Sequence, residues 1–280
     1  MRTPAPMDET ATDGESVLDL ENSNSLEEPL IPQSDHSRLQ EETNDEISSP
    51  PRRSPATIQL YKLAAWMFVL TLAWLASKGW CYVGLPYDCQ KGWETAGAME
   101  DLQHLFLYGL ALALMVGVLE DDRLSYLLCR QWYFLLLMFG SAPVFSFLSN
   151  CPYMDASISP PLGVKSLVLI GIVTVLGLGV LGWHFVFAFA TLNNKEDVMV
   201  YVVSRLGVLA FYSWTVFMAV VPNSEYQYHL HHYFIAYSLA LFCRFDHVFS
   251  VMMLAVATGI FVQGLAAYDF AELFSKKTSL

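Results

Sequence analysis

The chain has 280 residues, of which 54% are hydrophobic and only 15% charged, and its formal net charge is -12. Soluble domains carry nearer a quarter charged residues, so the sparse charge and a mean hydropathy of +0.39 point to a membrane-embedded body. The acidic balance, with no basic aromatic groove, argues against a nucleic-acid-binding protein.

The acidity is concentrated at the start. Residues 1–57 hold thirteen Asp and Glu against four Arg, with no aromatic residue. A segment so charged, with recurrent Pro and Ser, buries too little apolar surface to offset its ordering entropy. It is predicted to be a disordered, acidic, cytosolic tail. Within it, Glu27-Glu28-Pro29-Leu30-Ile31 has the composition of an acidic dileucine signal, a means of engaging sorting adaptors for endosomal or vacuolar delivery, and Arg52-Arg53-Ser54-Pro55 is a candidate phosphorylation site. Met1 to Glu46 contains no apolar run resembling a secretory signal, so the first helix is expected to direct insertion.

Residues 58–271 form the predicted body, an all-α polytopic bundle of about seven transmembrane helices, followed by a short tail, 272–280. Crossing about 30 Å of hydrocarbon takes roughly 20 apolar residues. The apolar stretches run from Tyr61 to Trp80, Leu102 to Leu119, Trp132 to Leu148, Leu162 to Ala190, Val198 to Val221, Leu230 to Cys243 and Val248 to Tyr268. The sixth is short enough to be one arm of a hairpin. With the tail in the cytosol, Arg52, Arg53, Lys62, Arg123, Arg130, Lys195, Arg205 and Arg244 gather on the inner side. Lys78, Lys91, Lys165, Lys276 and Lys277 fall outside, so positive charge favours an inner N-terminus and an outer C-terminus. That is opposite to a G-protein-coupled receptor, and it removes a PDZ-type role from Thr278-Ser279-Leu280. An endomembrane or the plasma membrane is the expected location. Cys81, Cys89 and Cys151 then lie where a disulfide persists, with the pairing left open.

Along the body, Gly140, Pro143, Gly171, Gly177, Gly179 and Gly182 are expected at close-packing or kink positions. Arg205, about seven residues inside the fifth stretch, is expected to snorkel to the inner surface. No P-loop, dinucleotide fingerprint, GxSxG elbow or HExxH motif occurs.

The most unusual local feature is Tyr228-His229-Leu230-His231-His232-Tyr233, because polar side chains at a membrane helix end need water, a partner or a metal. On a helix His229 and His232 share a face while His231 points about 200° away from His229. His184 and His247 fall towards the inner side. The second stretch opens on the outer side with Glu100-Asp101-Leu102-Gln103-His104, and the seventh ends there with Gln263 to Asp269. Three helices thus bring ionisable groups to one depth. Asp101, His104, His229 and His232 are the candidate metal ligands, with Glu100, His231, Gln263 and Asp269 lining the pocket; Zn²⁺ suits such a set, and an open coordination position would activate water. A metal-free polar pocket competes with this reading, as does plain interfacial anchoring with Asp101 capping the second helix.

The segment from His229-Leu230-His231-His232-Tyr233 through Arg244 and Ser250 to Gly259-Ile260-Phe261-Val262-Gln263-Gly264-Leu265-Ala266-Ala267-Tyr268 resembles the C-terminal membrane region of fungal and protist LCCL-domain membrane proteins. There an HxHHY segment precedes an apolar helix ending in a phrase like GLFxNGIARWGF. Gln263 departs from an Asn-type position and Asp269 from a Gly, and the 57-residue tail holds no LCCL domain. The resemblance implies a shared membrane scaffold and no particular reaction.

Three functions are weighed. A non-enzymatic binding, sensing or scaffold role needs the fewest assumptions. An intramembrane metal-dependent hydrolase acting on lipid would need the spacing of the alkaline ceramidase and progestin-receptor superfamily, which does not match. A transporter would show internal repeats or paired broken helices, which are absent.

Overall fold

The computed structural model describes residues 54–83, 95–120, 122–149, 164–220, 226–228, 231–268 and 274–276. The Glu27–Ile31 signal, Cys89, Cys151, His229, Asp269 and the last four residues lie outside them. The described chain is almost entirely helical. In order come α1 (Pro55–Val83), α2 (Thr95–Met115), a one-turn α3 (Arg123–Ser125) running into a π-helical turn (Tyr126–Arg130), α4 (Trp132–Ser149), α5 (Val164–Thr191) and α6 (Lys195–Val220). Then follow β1 (Tyr226–Tyr228), α7 (His232–Ala240), α8 (Val248–Tyr268) and β2 (Phe274–Lys276).

Local chemistry sets several boundaries. Ser54 Oγ accepts from the Thr57 amide at 3.2 Å, and Pro55 fills the first position of α1, where a missing N–H costs nothing. Asn194 Oδ1 caps the Glu196 amide at 3.1 Å, with Glu196 and Asp197 in the first turn of α6 facing the positive end of its dipole. At the end of α2, Gly117 takes a left-handed conformation (φ 75°) and the Val118 amide reaches back to Ala113 at 2.9 Å, the Schellman arrangement that favours glycine.

α8 is the centre of the bundle. It packs against α4, α7, α1 and α2, and 67% of its apolar window is buried. Two glycines permit this. A Cβ at Gly259 would overlap the Met138 carbonyl and Ser141 Oγ of α4, and one at Gly264 would sit 2.7 Å from Tyr233 Cγ of α7. α5 and α6 lie at the periphery, with 11% and 17% of their windows buried, and expose Val175, Leu176, Phe211 and Trp214. Among the described residues four helices are long and apolar enough to cross a membrane: α1, α5, α6 and α8. A fifth is reached if the segment Arg123–Arg130 and α4, bent by 76°, count as one span.

Three expectations are corrected. Among the described residues of the sixth stretch, expected over Leu230 to Cys243, the helix runs from His232 to Ala240. Its exit carbonyls are taken by side chains: Tyr201 Oη donates to Phe242 O at 2.8 Å and Arg123 Nη2 to Cys243 O at 3.3 Å, which favours a turn over another helical step. Nine residues rise about 14 Å, half a bilayer. The glycines expected at helix contacts, Gly140, Gly171, Gly177, Gly179 and Gly182, meet nothing within 4 Å of an added Cβ. Close approach occurs instead at Gly259 and Gly264. Finally, Arg205 does not snorkel: it is 2% exposed and donates to Met115 O and to Ser204 Oγ.

This packing predicts a contrast between glycines. Gly259→Ala should cost about 1–3 kcal/mol through overpacking against α4, whereas Gly179→Ala on α5 should be neutral or gain up to about 1 kcal/mol from helix propensity. Thermal unfolding of the two variants in detergent measures the difference, and equal losses would place the tight contact elsewhere.

Candidate functional site

The element order brings side chains together at two ends of the bundle: a distal rim, where α1, α4 and α8 end and α2 and α7 begin, and a proximal rim at the opposite ends. On the distal rim Lys78 of α1 and Asp101 of α2 form a buried ion pair, 3.1 Å from Nζ to Oδ2, with side chains 6% and 1% exposed. Lys78 also lies 5.8 Å from the centre of the Trp74 ring. One turn along α2, His104 is half-buried, while Glu100 points outward and is exposed. Cys81, one turn beyond Lys78, is disulfide-bonded. Among the described residues Cys129 and Cys243 are free thiols.

α8 and α7 complete this layer. Gln263, 1% exposed, donates from Nε2 to Ser146 Oγ of α4 at 3.0 Å. The His232 ring lies 4.6 Å from Phe145 and 5.7 Å, edge-on, from Tyr268. His231 stacks on Tyr233 at 5.4 Å. Two buried atoms, Gln263 Oε1 and His232 Nε2, have no hydrogen-bond partner among the described residues. Such atoms are costly unless a ligand or water reaches them.

Asp101, His104, His232 and Gln263 lie towards the distal ends of their helices, and the contacts of Asp101 and Gln263 are an ion pair and a hydrogen bond within the protein. Asp101 is committed to Lys78, a pairing no spacing rule reveals because the two residues sit on different helices. His231 is extended (φ -83°, ψ 140°) and α7 starts at His232, while His229 lies outside the described residues. Among the described residues no group of three or more His, Cys, Asp or Glu could hold a metal ion. What the distal rim offers is unused hydrogen-bond capacity on Gln263 and His232 together with an internally neutralised charge pair.

The proximal rim carries a polar network that the sequence reading left unassembled. Arg123 pairs with Asp246, and Arg244 with Glu120. Tyr126 Oη donates to Asp246 O at 3.3 Å. Arg205 donates to Met115 O at the negative end of α2, and Lys62 Nζ of α1 to Glu120 O at 2.7 Å in the turn that follows. The Arg205 guanidinium also lies 4.2 Å from the Tyr201 ring centre. His184 Nδ1 faces Val180 O at 2.8 Å, a carbonyl that can only accept. The proton is therefore on Nδ1, and Nε2 accepts from Ser250 Oγ at 3.2 Å, tying α5 to α8. The pairs Arg123–Asp246 and Arg244–Glu120 lie more than a hundred residues apart in sequence; the one available signal was the presence of an arginine, Arg205, inside an apolar helix.

The distal ion pair yields a test. Removing one partner leaves a buried uncompensated charge, so Lys78→Met or Asp101→Leu alone should cost about 3–5 kcal/mol, whereas the double substitution should recover most of that loss. A double-mutant cycle on melting in detergent reads it, and additive losses would show that the pair is not coupled.

Comparison of the chain with protein-family models, with curated proteins and with solved structures finds no match.

Proposed function

We propose that the chain is a seven-pass integral membrane protein of an endomembrane or the plasma membrane, with a cytosolic N-terminus, that acts by binding a ligand at its distal polar layer. The layer is the site of recognition and α8 is its scaffold. The observation that carries this proposal is the pair of buried acceptor-capable atoms, Gln263 Oε1 and His232 Nε2, left without partners among the described residues. A ligand presenting N–H or O–H groups would satisfy them. Catalysis by a metal is disfavoured because the buried carboxylate of the layer, Asp101, already neutralises Lys78.

Seven passes are supported by the way the contacts alternate. α1 begins near Glu120 through Lys62 and ends near Asp101 through Lys78. β2 pairs antiparallel with β1, Tyr226 opposite Lys276 and Tyr228 opposite Phe274, which brings the last described strand beside the segment leading into α7. The start of α1 and the end of α8 then lie on opposite rims, as an odd number of passes requires. α2 exposes Phe106, Leu107 and Leu114 on one flank, and α7, itself half a bilayer long, completes its crossing with the turn that leads to Val248.

Native mass spectrometry of the full chain released from its membrane tests the proposal. The expected spectrum shows a small non-covalent adduct on the native chain that is missing from Gln263→Leu, with no zinc on either. One zinc per chain, lost in His232→Ala, would instead establish a metal centre. Tags on the two termini add the topology: reporting from the same side of the membrane would overturn the seven-pass arrangement.

A further inference from the structure

The proximal rim holds a cavity of about 400 Å³ beside the two ion pairs. Its walls are apolar, Phe187 of α5 and Phe245 of the α7–α8 turn. Its polar groups are Glu120, Thr191, Arg244, Asp246 and His247. These groups remain reachable: the side chains of Arg244, Glu120 and Asp246 are 26%, 52% and 63% exposed. The His247 ring is fixed by aromatic contacts, 5.1 Å from Trp183 and 5.1 Å from Phe187. The Phe249 amide donates to His247 Nδ1 at 3.2 Å, so the neutral ring carries its proton on Nε2 and is a donor.

The lining sorts ligands by charge. A simple anion would meet two carboxylates, and a simple cation would meet the guanidinium. A group carrying both signs would satisfy both. Beside the cavity α5 ends and α8 begins: Thr191 of its lining is the last residue of α5, and Val248 of α8, next in the chain to His247 of the lining, is 54% exposed, with Met252 one turn on at 42%. If these helices cross the bilayer, as proposed above, that is the depth at which phospholipid head groups give way to acyl chains.

We propose that this cavity binds the head group of a zwitterionic phospholipid. The phosphate lies on Arg244 and the Nε2–H of His247, in charge-assisted hydrogen bonds. The ammonium lies between Glu120 and Asp246 against the Phe187 and Phe245 faces. The acyl chains run along Val248 and Met252 of α8. This site is separate from the distal layer, and it rests on the membrane-spanning proposal alone.

The test uses the full chain in a maltoside detergent and phosphate-free buffer, titrated with short-chain phosphatidylethanolamine, short-chain phosphatidylglycerol or inorganic phosphate, with adducts counted by native mass spectrometry. Phosphatidylethanolamine should bind saturably, and the other two should not at the same concentrations. His247→Phe keeps the aromatic packing and removes the donor; Arg244→Lys keeps the charge opposite Glu120 and removes the guanidinium fork. Each should weaken phosphatidylethanolamine binding about tenfold. Equal binding of phosphatidylglycerol would overturn the zwitterionic assignment, and saturable binding of inorganic phosphate alone would overturn the lipid assignment. Unchanged binding in both variants would remove the ligand from this cavity. Extraction of the native chain from membranes by alkaline carbonate, scored separately, reports on whether it spans the bilayer at all.

Discussion

The close approach of α8 to α4 and α7 sets the rest of the structure. Gly259 lies against the backbone of Met138 and Gly264 against Tyr233, so three helices pack at distances that any larger residue would forbid. In hydrocarbon, burial of apolar surface does not drive helices together, and association depends on van der Waals fit and on polar contacts between helices. A central helix with small residues on two faces supplies that fit. α1 and α2 add a second tight contact, in which Trp66 Nε1 donates to Gly109 O at 3.2 Å. α5 and α6 contribute little to the core and present broad apolar flanks.

Both ends of this core are fastened by polar groups, in different ways. The distal end uses one buried pair, Lys78 with Asp101, whose charges cancel inside the protein. The proximal end uses cations against backbone carbonyls and carboxylates, linking α1, α2, α3, α6 and the α7–α8 turn. Exposed ion pairs contribute little to stability, so Arg244 and Glu120 act chiefly by placing charge around the proximal cavity. Arg123 and Arg205 differ, because both are almost fully buried and both hold carbonyls at helix ends. They fix where α2 stops and where α7 gives way to a turn.

Much of the helical layout was legible in the sequence, because apolar stretches and their polar breaks are local properties. α4, α5, α6 and α8 fall within a few residues of the stretches read from composition. The rest depended on side-chain partners that no spacing encodes. Lys78 looked like a charge outside the membrane, yet it is buried and neutralises Asp101. The α5 glycines matched a packing pattern but face open space, whereas Gly259 and Gly264 do the packing. α7 starts at His232, after an extended His231, which a reading of the stretch as one continuous helix does not foresee. The proximal network was invisible because Arg123, Glu120, Arg244 and Asp246 each look like ordinary charges at helix ends.

The central claim is that α8 is enclosed by protein while the flanks of α5 and α6 meet lipid. Val175 on α5 is 69% exposed and Ala255 on α8 is 0% exposed. Spin labels at these two positions, in the full chain reconstituted into bilayers, measure this most directly through their collisions with oxygen, which concentrates in hydrocarbon, and with a water-soluble nickel chelate. The Val175 label is expected to be relaxed strongly by oxygen and hardly by nickel, and the Ala255 label by neither. Strong relaxation of the Val175 label by nickel would place that flank in water and contradict the membrane-spanning bundle.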